Sequence, residues 1–138
     1  MAGYSGTPLP KKLGIKEGSS VALLGAPAGF AQSALDGLPA GVRLVEGGET
    51  ALDVVVVFVE WMADLQEQFS AQAGRLQPAG GLWIAWPKKA SGRTTDLNEN
   101  VIRDVGLAAG LVDNKVCAID ETWSGLRFVY RLADRKRA

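Results

Sequence analysis

No histidine occurs anywhere in the 138 residues, and cysteine occurs once. The first absence excludes Ser-His-Asp and Cys-His catalysis, imidazole metal ligands and a histidine proton shuttle. The second excludes an intrachain disulfide and a multi-cysteine zinc site, and it fits a reducing compartment. Net charge is missing too, since 15 Lys+Arg balance 15 Asp+Glu. There is no broad basic field to hold nucleic acid, so nucleic acid is not expected as a partner. Long hydrophobic runs are also absent. The longest, Val54-Val55-Val56-Val57-Phe58-Val59, is far too short to span a bilayer. The opening Met1-Ala2-Gly3-Tyr4-Ser5-Gly6-Thr7-Pro8 lacks the basic cap and apolar run of a secretory signal. The expectation is a cytoplasmic protein with no membrane partner.

What is present is an ordinary globular composition, 47% hydrophobic and 22% charged. A chain of this size buries about two thirds of its unfolded surface, enough for a core without staples. The reading is one domain over residues 13–133, after an irregular leader at 1–12 and before a charged tail at 134–138. Ser20 to Leu24 is an apolar run between Gly18 and Gly25, and it reads as a buried strand. Pro27 suits the first turn of a helix carrying Phe30, Ala31, Ala34 and Leu35, stopped by Gly37 and Pro39. Val42 to Val45 is a second strand. Asp53 to Val59 is a third, and its unbroken valines imply burial on both faces, as inside a parallel sheet.

A longer helix is predicted from Trp61 to Leu76, with Met62, Leu65, Phe69, Ala73 and Leu76 on one stripe. Pro78-Ala79-Gly80-Gly81 reads as a turn into the strand Leu82 to Trp86. After a polar loop, Asp96 with Glu99 three places on resembles a capping box for a helix ending near Gly110. Val112 to Ile119 and Leu126 to Leu132 close the chain as an antiparallel pair, because their connection is short. This alternation predicts an α/β fold: a single-domain, Rossmann-like three-layer sandwich, with a mostly parallel sheet of about six strands and a C-terminal antiparallel pair. Ligands in such sheets bind beyond the carboxyl ends of the strands, where strand order reverses.

The plan resembles a shortened class I S-adenosylmethionine-dependent methyltransferase, and Pro78-Ala79-Gly80-Gly81-Leu82-Trp83-Ile84-Ala85 resembles the entry to the fifth strand of those enzymes. A nearer resemblance covers almost the whole chain. The opening Gly3 to Leu9, Lys11-Lys12-Leu13-Gly14-Ile15, the Gly25-Ala26-Pro27 turn and the Trp83…Trp86-Pro87-Lys88 segment are similar to a bacterial family of small uncharacterised proteins, a domain of unknown function. That likeness implies no activity. The methyltransferase likeness implies that backbone around Gly25, Ala26, Gly29 and Phe30 holds S-adenosylmethionine and that Glu46 binds its ribose. Two departures weaken this. Pro27 stands where the Gly-x-Gly-x-Gly turn has its middle glycine, which removes a donor and adds bulk. One strand-helix unit, which helps build the adenine side of the family's pocket, is missing between Val45 and Asp53.

Lys88, Lys89 and Arg93 flank Ser91-Gly92 ahead of a helix start, an arrangement that can hold an anion or simply face solvent. Trp61, Trp86 and Trp123 fall at the predicted edge, where they can line a flat ligand, form a homodimer patch, or pack in the core and at its rim, and core and rim packing is favoured. Glu60, Asp64, Asp120 and Glu121 are carboxylates that either converge or stay separate. Cys117 reads as a buried structural thiol. Ser5 and Ser33 lack a Gly-x-Ser-x-Gly elbow. Catalysis is therefore not the default expectation, and no cofactor is assigned. The chain reads as a domain that binds a small molecule or a protein partner. A small methyltransferase or nucleotide-using enzyme and a structural homo-oligomer are the alternatives.

Overall fold

The computed structural model describes residues 7–33 and 35–135. Residues 1–6, Ala34 and 136–138 lie outside the described residues, and with them Ser5, the start of the leader, one apolar position of the first predicted helix and the end of the tail. The rest of the leader is not irregular: Leu9–Lys12 forms a single helical turn, α1, with Pro10 buried in its first turn. Pro at this position loses no bond, because the first N–H groups of a helix have no partner within it.

β1 (Ser20–Leu24) is followed by α2 (Phe30–Ser33), β2 (Arg43–Leu44) and β3 (Leu52–Phe58). Pro27 does not start α2. Gly29 adopts φ +78° and breaks the helical path, so the turn from Pro27 O to Phe30 N precedes the helix. Next come α3 (Met62–Ala73), β4 (Leu76–Pro87), α4 (Glu99–Ala108), β5 (Leu111–Ala118), β6 (Trp123–Tyr130) and α5 (Leu132–Arg135). The α3 stripe of Leu65, Phe69 and Ala73 is buried as the 3–4 spacing predicts. The helix stops at Gly74, so Leu76 opens a strand instead of closing the helix.

Pro78-Ala79-Gly80-Gly81 is not a turn either. It lies within β4, in a stretch where the pairing with β3 jumps from Leu52↔Leu76 to Val54↔Gly81. Pro cannot donate to a ladder, and this irregular stretch tolerates it. A Cβ on Gly80 would come within 2.7 Å of Leu52 O, so only glycine permits the close approach.

The six strands form one sheet in the order β2-β1-β3-β4-β6-β5. β2, β1, β3 and β4 are parallel, while β6 pairs antiparallel with both β4 and β5. Residues 45–51 form neither helix nor strand. Alternate β3 residues enter opposite cores. Val55 and Val57 pack under α3 and α4, whereas Val54, Val56 and Phe58 pack with Leu13, Ile15, Phe30 and Leu35 on the other face. Trp83 is fully buried, and its indole N–H donates to Leu13 O at 3.0 Å, which ties the N-terminal segment to the sheet. Among the described residues, no helix is long and apolar enough to cross a membrane.

Candidate functional site

The chain leaves β1 outward to β2, then returns across β1 to β3. The strand order therefore reverses between the carboxyl ends of β1 and β3, the place where open α/β sheets bind ligands. A cleft of about 500 Å³ opens there, within the usual range for small-molecule sites. Leu24 and Gly25 form one wall. The end of β3 and the first two turns of α3 form the other, with Phe58, Glu60, Trp61, Asp64 and Gln68.

Backbone geometry builds this cleft. Gly25 turns the chain off β1 at φ +69°, and a Cβ there would stand 2.9 Å from Phe58 O. Only glycine lets the two strand ends approach this closely. Phe58 is fixed edge-on between Phe30 at 4.9 Å and Trp123 at 5.1 Å. Trp61, Asp64 and Gln68 follow one another by three and four residues, so α3 presents them on one side.

The polar loop 88–98 fastens the rim of the cleft. Thr95 donates its hydroxyl to Glu60 O. Met62 N, the first donor of α3, bonds to Asp96 Oδ1 at 2.8 Å. Arg93 Nη1 pairs with Glu60 Oε1 at 3.0 Å and lies over the Trp123 ring at 5.4 Å. Asp96 therefore serves α3, not the helix that follows it. α4 is capped by Asn98, whose Oδ1 accepts from Val101 N at 2.9 Å. Lys88, half-buried, and Lys89, exposed, flank a short 3-10 turn, Lys89–Ser91. The loop that reads in sequence as an anion site thus spends Arg93 on a carboxylate and leaves no open donor at Val101.

Of the residues expected to hold a cofactor, Gly25 alone lines the cleft. Ala26 and Phe30 pack into the core beneath it. Gly29 is exposed. Glu46 is exposed after Val45, outside the cleft lining. The tryptophans do not share an open patch. Trp61 is 43% exposed, whereas Trp86 and Trp123 are buried in opposite cores.

Glu60 and Asp64 both line the cleft. Asp120 does not join them, since its Oδ1 accepts from Thr122 N and Trp123 N within its own turn. Among the described residues, no three His, Cys, Asp or Glu gather as a metal site. Cys117 is half-buried, and burial pushes its thiol pKa up, against the opposing pull of Lys12 and Lys115. Gln68 escaped sequence reasoning, although its spacing from Trp61 and Asp64 marks it. The cleft offers two carboxylates, one amide and an aromatic face, a set suited to a neutral or cationic ligand with hydroxyl or amino donors.

A family model for proteins of unknown function (DUF3052) matches residues 11–132. Comparison with curated proteins gives no match. Solved structures share the fold at low identity. An S-adenosylmethionine-dependent methyltransferase from Aquifex aeolicus is 15% identical, with a TM-score of 0.57 over 87% of this chain and 86% of that one. A methyltransferase from Pyrococcus furiosus is 16% identical, with a TM-score of 0.59 over 87% and 78%. Aeropyrum pernix fibrillarin, solved with natively bound S-adenosyl-L-methionine, is 14% identical, with a TM-score of 0.59 over 92% and 70%. The methyltransferase-like fold expected from the order of elements is therefore present.

Proposed function

We propose that this chain, which belongs to the DUF3052 family of proteins of unknown function, binds a small nucleoside-like molecule between the carboxyl ends of β1 and β3 without transforming it. One observation carries the reading: the exposed Trp61 stands beside Glu60, Asp64 and Gln68 at the point where strand order reverses. A flat base can stack on the indole, and hydroxyl or amino groups can donate to the carboxylates. Binding without chemistry is favoured because Glu60 is already held by Arg93. In addition, Pro27 and the outlying Glu46 depart from the cofactor-holding pattern.

The second reading is a small S-adenosylmethionine-dependent methyltransferase. The fold it shares with such enzymes favours it, and methyl transfer can proceed largely by positioning.

Calorimetric titration with adenosine, S-adenosylhomocysteine and S-adenosylmethionine tests both. The first reading expects binding that weakens about tenfold or more in Trp61→Ala, consistent with the loss of one stacked base at about 1–3 kcal/mol, and weakens in Asp64→Asn. Glu46→Ala should leave it unchanged. No binding by any of the three overturns the nucleoside reading. Binding of S-adenosylmethionine that depends on Glu46, with transfer to an acceptor, replaces it by the second.

A further inference from the structure

A second cleft, of about 360 Å³, lies at the opposite end of the sheet, by the amino ends of β1 and β3. Four cationic residues line it: Lys12, Lys16, Lys115 and Arg127. Asp53 is the one carboxylate in that lining, and both its oxygens are engaged. Oδ2 accepts from Ser20 N at 2.9 Å and Oδ1 from Gln77 Nε2 at 3.1 Å. Asp53 therefore pins strand starts together, and its single negative charge faces four positive ones in that lining.

Arg127 is the centre of the arrangement. Its side chain is half-buried on the sheet face it shares with Gly81. A Cβ on Gly81 would stand 2.4 Å from Arg127 Nε, so this glycine makes the room in which the guanidinium lies. Arg127 Nη1 donates to Asn114 Oδ1 at a long 3.3 Å, and among the described residues no carboxylate lies within ion-pair reach of it. Arg103 shows the contrast, since it holds both Glu99 and Asp113. Burial, and then repulsion from Arg135, pull the pKa of Arg127 down. A partly desolvated cation without a counter-charge is costly, and an arriving anion offsets that cost. Lys115 Nζ donates to Lys12 O at 3.0 Å and so ties the end of α1 to β5 at the cleft.

We propose that this amino-end cleft binds a small multiply charged phosphate ligand, a diphosphate or phosphate ester, with Arg127 as its bidentate anchor and Lys16 and Lys115 at its rim. A planar guanidinium with free donors matches phosphate oxygens two at a time. The site is separate from the cleft at the carboxyl end, so the two stand or fall independently.

Titration calorimetry of the full chain with pyrophosphate at low ionic strength provides the test. Binding is expected, weakening as salt rises. Arg127→Gln should lower affinity by about tenfold or more, the scale of a lost charge-assisted bond. Lys16→Gln and Lys115→Gln, both exposed, should each weaken it severalfold and keep the test informative if Arg127→Gln does not fold. Lys88→Gln and Trp61→Ala, at the far end of the sheet, should leave it unchanged. The site is overturned by the absence of binding, by equal affinity in the Lys16→Gln, Lys115→Gln and folded Arg127→Gln variants, or by equal loss in Lys88→Gln. Citrate binding at least as tightly as pyrophosphate overturns the phosphate assignment.

Discussion

Gly106 lies where α4 crosses the sheet, and a Cβ on it would fall 2.1 Å from Phe128 Cε1. Phe128 cannot easily retreat, because it is fully buried and packs edge-on against Phe69 at 5.0 Å. Alanine ordinarily favours a helix over glycine by about 1 kcal/mol, but overpacking a filled core costs about 1–3 kcal/mol. Gly106→Ala should therefore lower the melting temperature by several degrees, and thermal unfolding followed by circular dichroism would show it; a rise would contradict the packing. Nothing in the sequence marks Gly106 as special, since its role depends on a phenylalanine 22 positions away. The same holds for Gly81, which serves Arg127 across the sheet. Gly25 was legible, because a glycine directly after an apolar strand announces a turn. The packing favoured for Trp61, Trp86 and Trp123 puts Trp86 and Trp123 in the core, while Trp61 stays exposed at the cleft.

At the level of elements, β1 and β3 were readable because uninterrupted apolar runs end at clear breakers. The Pro78 to Gly81 segment was not readable, since its residue types signal a turn and only the pairing of Leu76 with Leu52 draws it into the sheet. The caps show the same limit. Asp96 and Glu99 have the spacing of a capping box, yet Asp96 bonds to Met62 N, 34 positions away, while Asn98 performs the local task. Asn98→Ala should cost about 1 kcal/mol by removing the α4 cap. Asp96→Ala should cost a similar amount, and it should also weaken any ligand at the cleft, because it frees the start of α3 beside Trp61. Urea unfolding of the two variants, paired with the titrations above, separates these effects: equal ligand affinity in both would show that the loop does not hold the cleft wall.

For the whole molecule, the sheet and its closing antiparallel pair followed from the order of elements, and the reversal point followed from the order of strands. Which side chains turn into the cleft did not, because sequence places residues at an edge without fixing their direction. Overall neutrality likewise conceals a local excess, with Lys12, Lys16, Lys115 and Arg127 gathered around one carboxylate, Asp53, at the amino end of the sheet. The missing histidine bears on stability as a function of pH. No side chain has an ordinary pKa between 5 and 8, so stability should be nearly level there. Cys117 and Tyr130 are both raised by burial. The unfolded chain loses these protons first, so the stability they contribute is intact below about pH 8.5. It is lost as pH rises through the folded-state values. Chemical denaturation from pH 6 to 10 should show the fall, and Cys117→Ala should reduce its earlier part.

The sheet ends on β2, two residues long with Arg43 in it, and on β5, where Asp113, Asn114 and Lys115 span a shift in register. A long, regular, apolar border invites another chain to add a strand. Neither border is at once long, regular and apolar, which weighs against edge-to-edge growth into fibres.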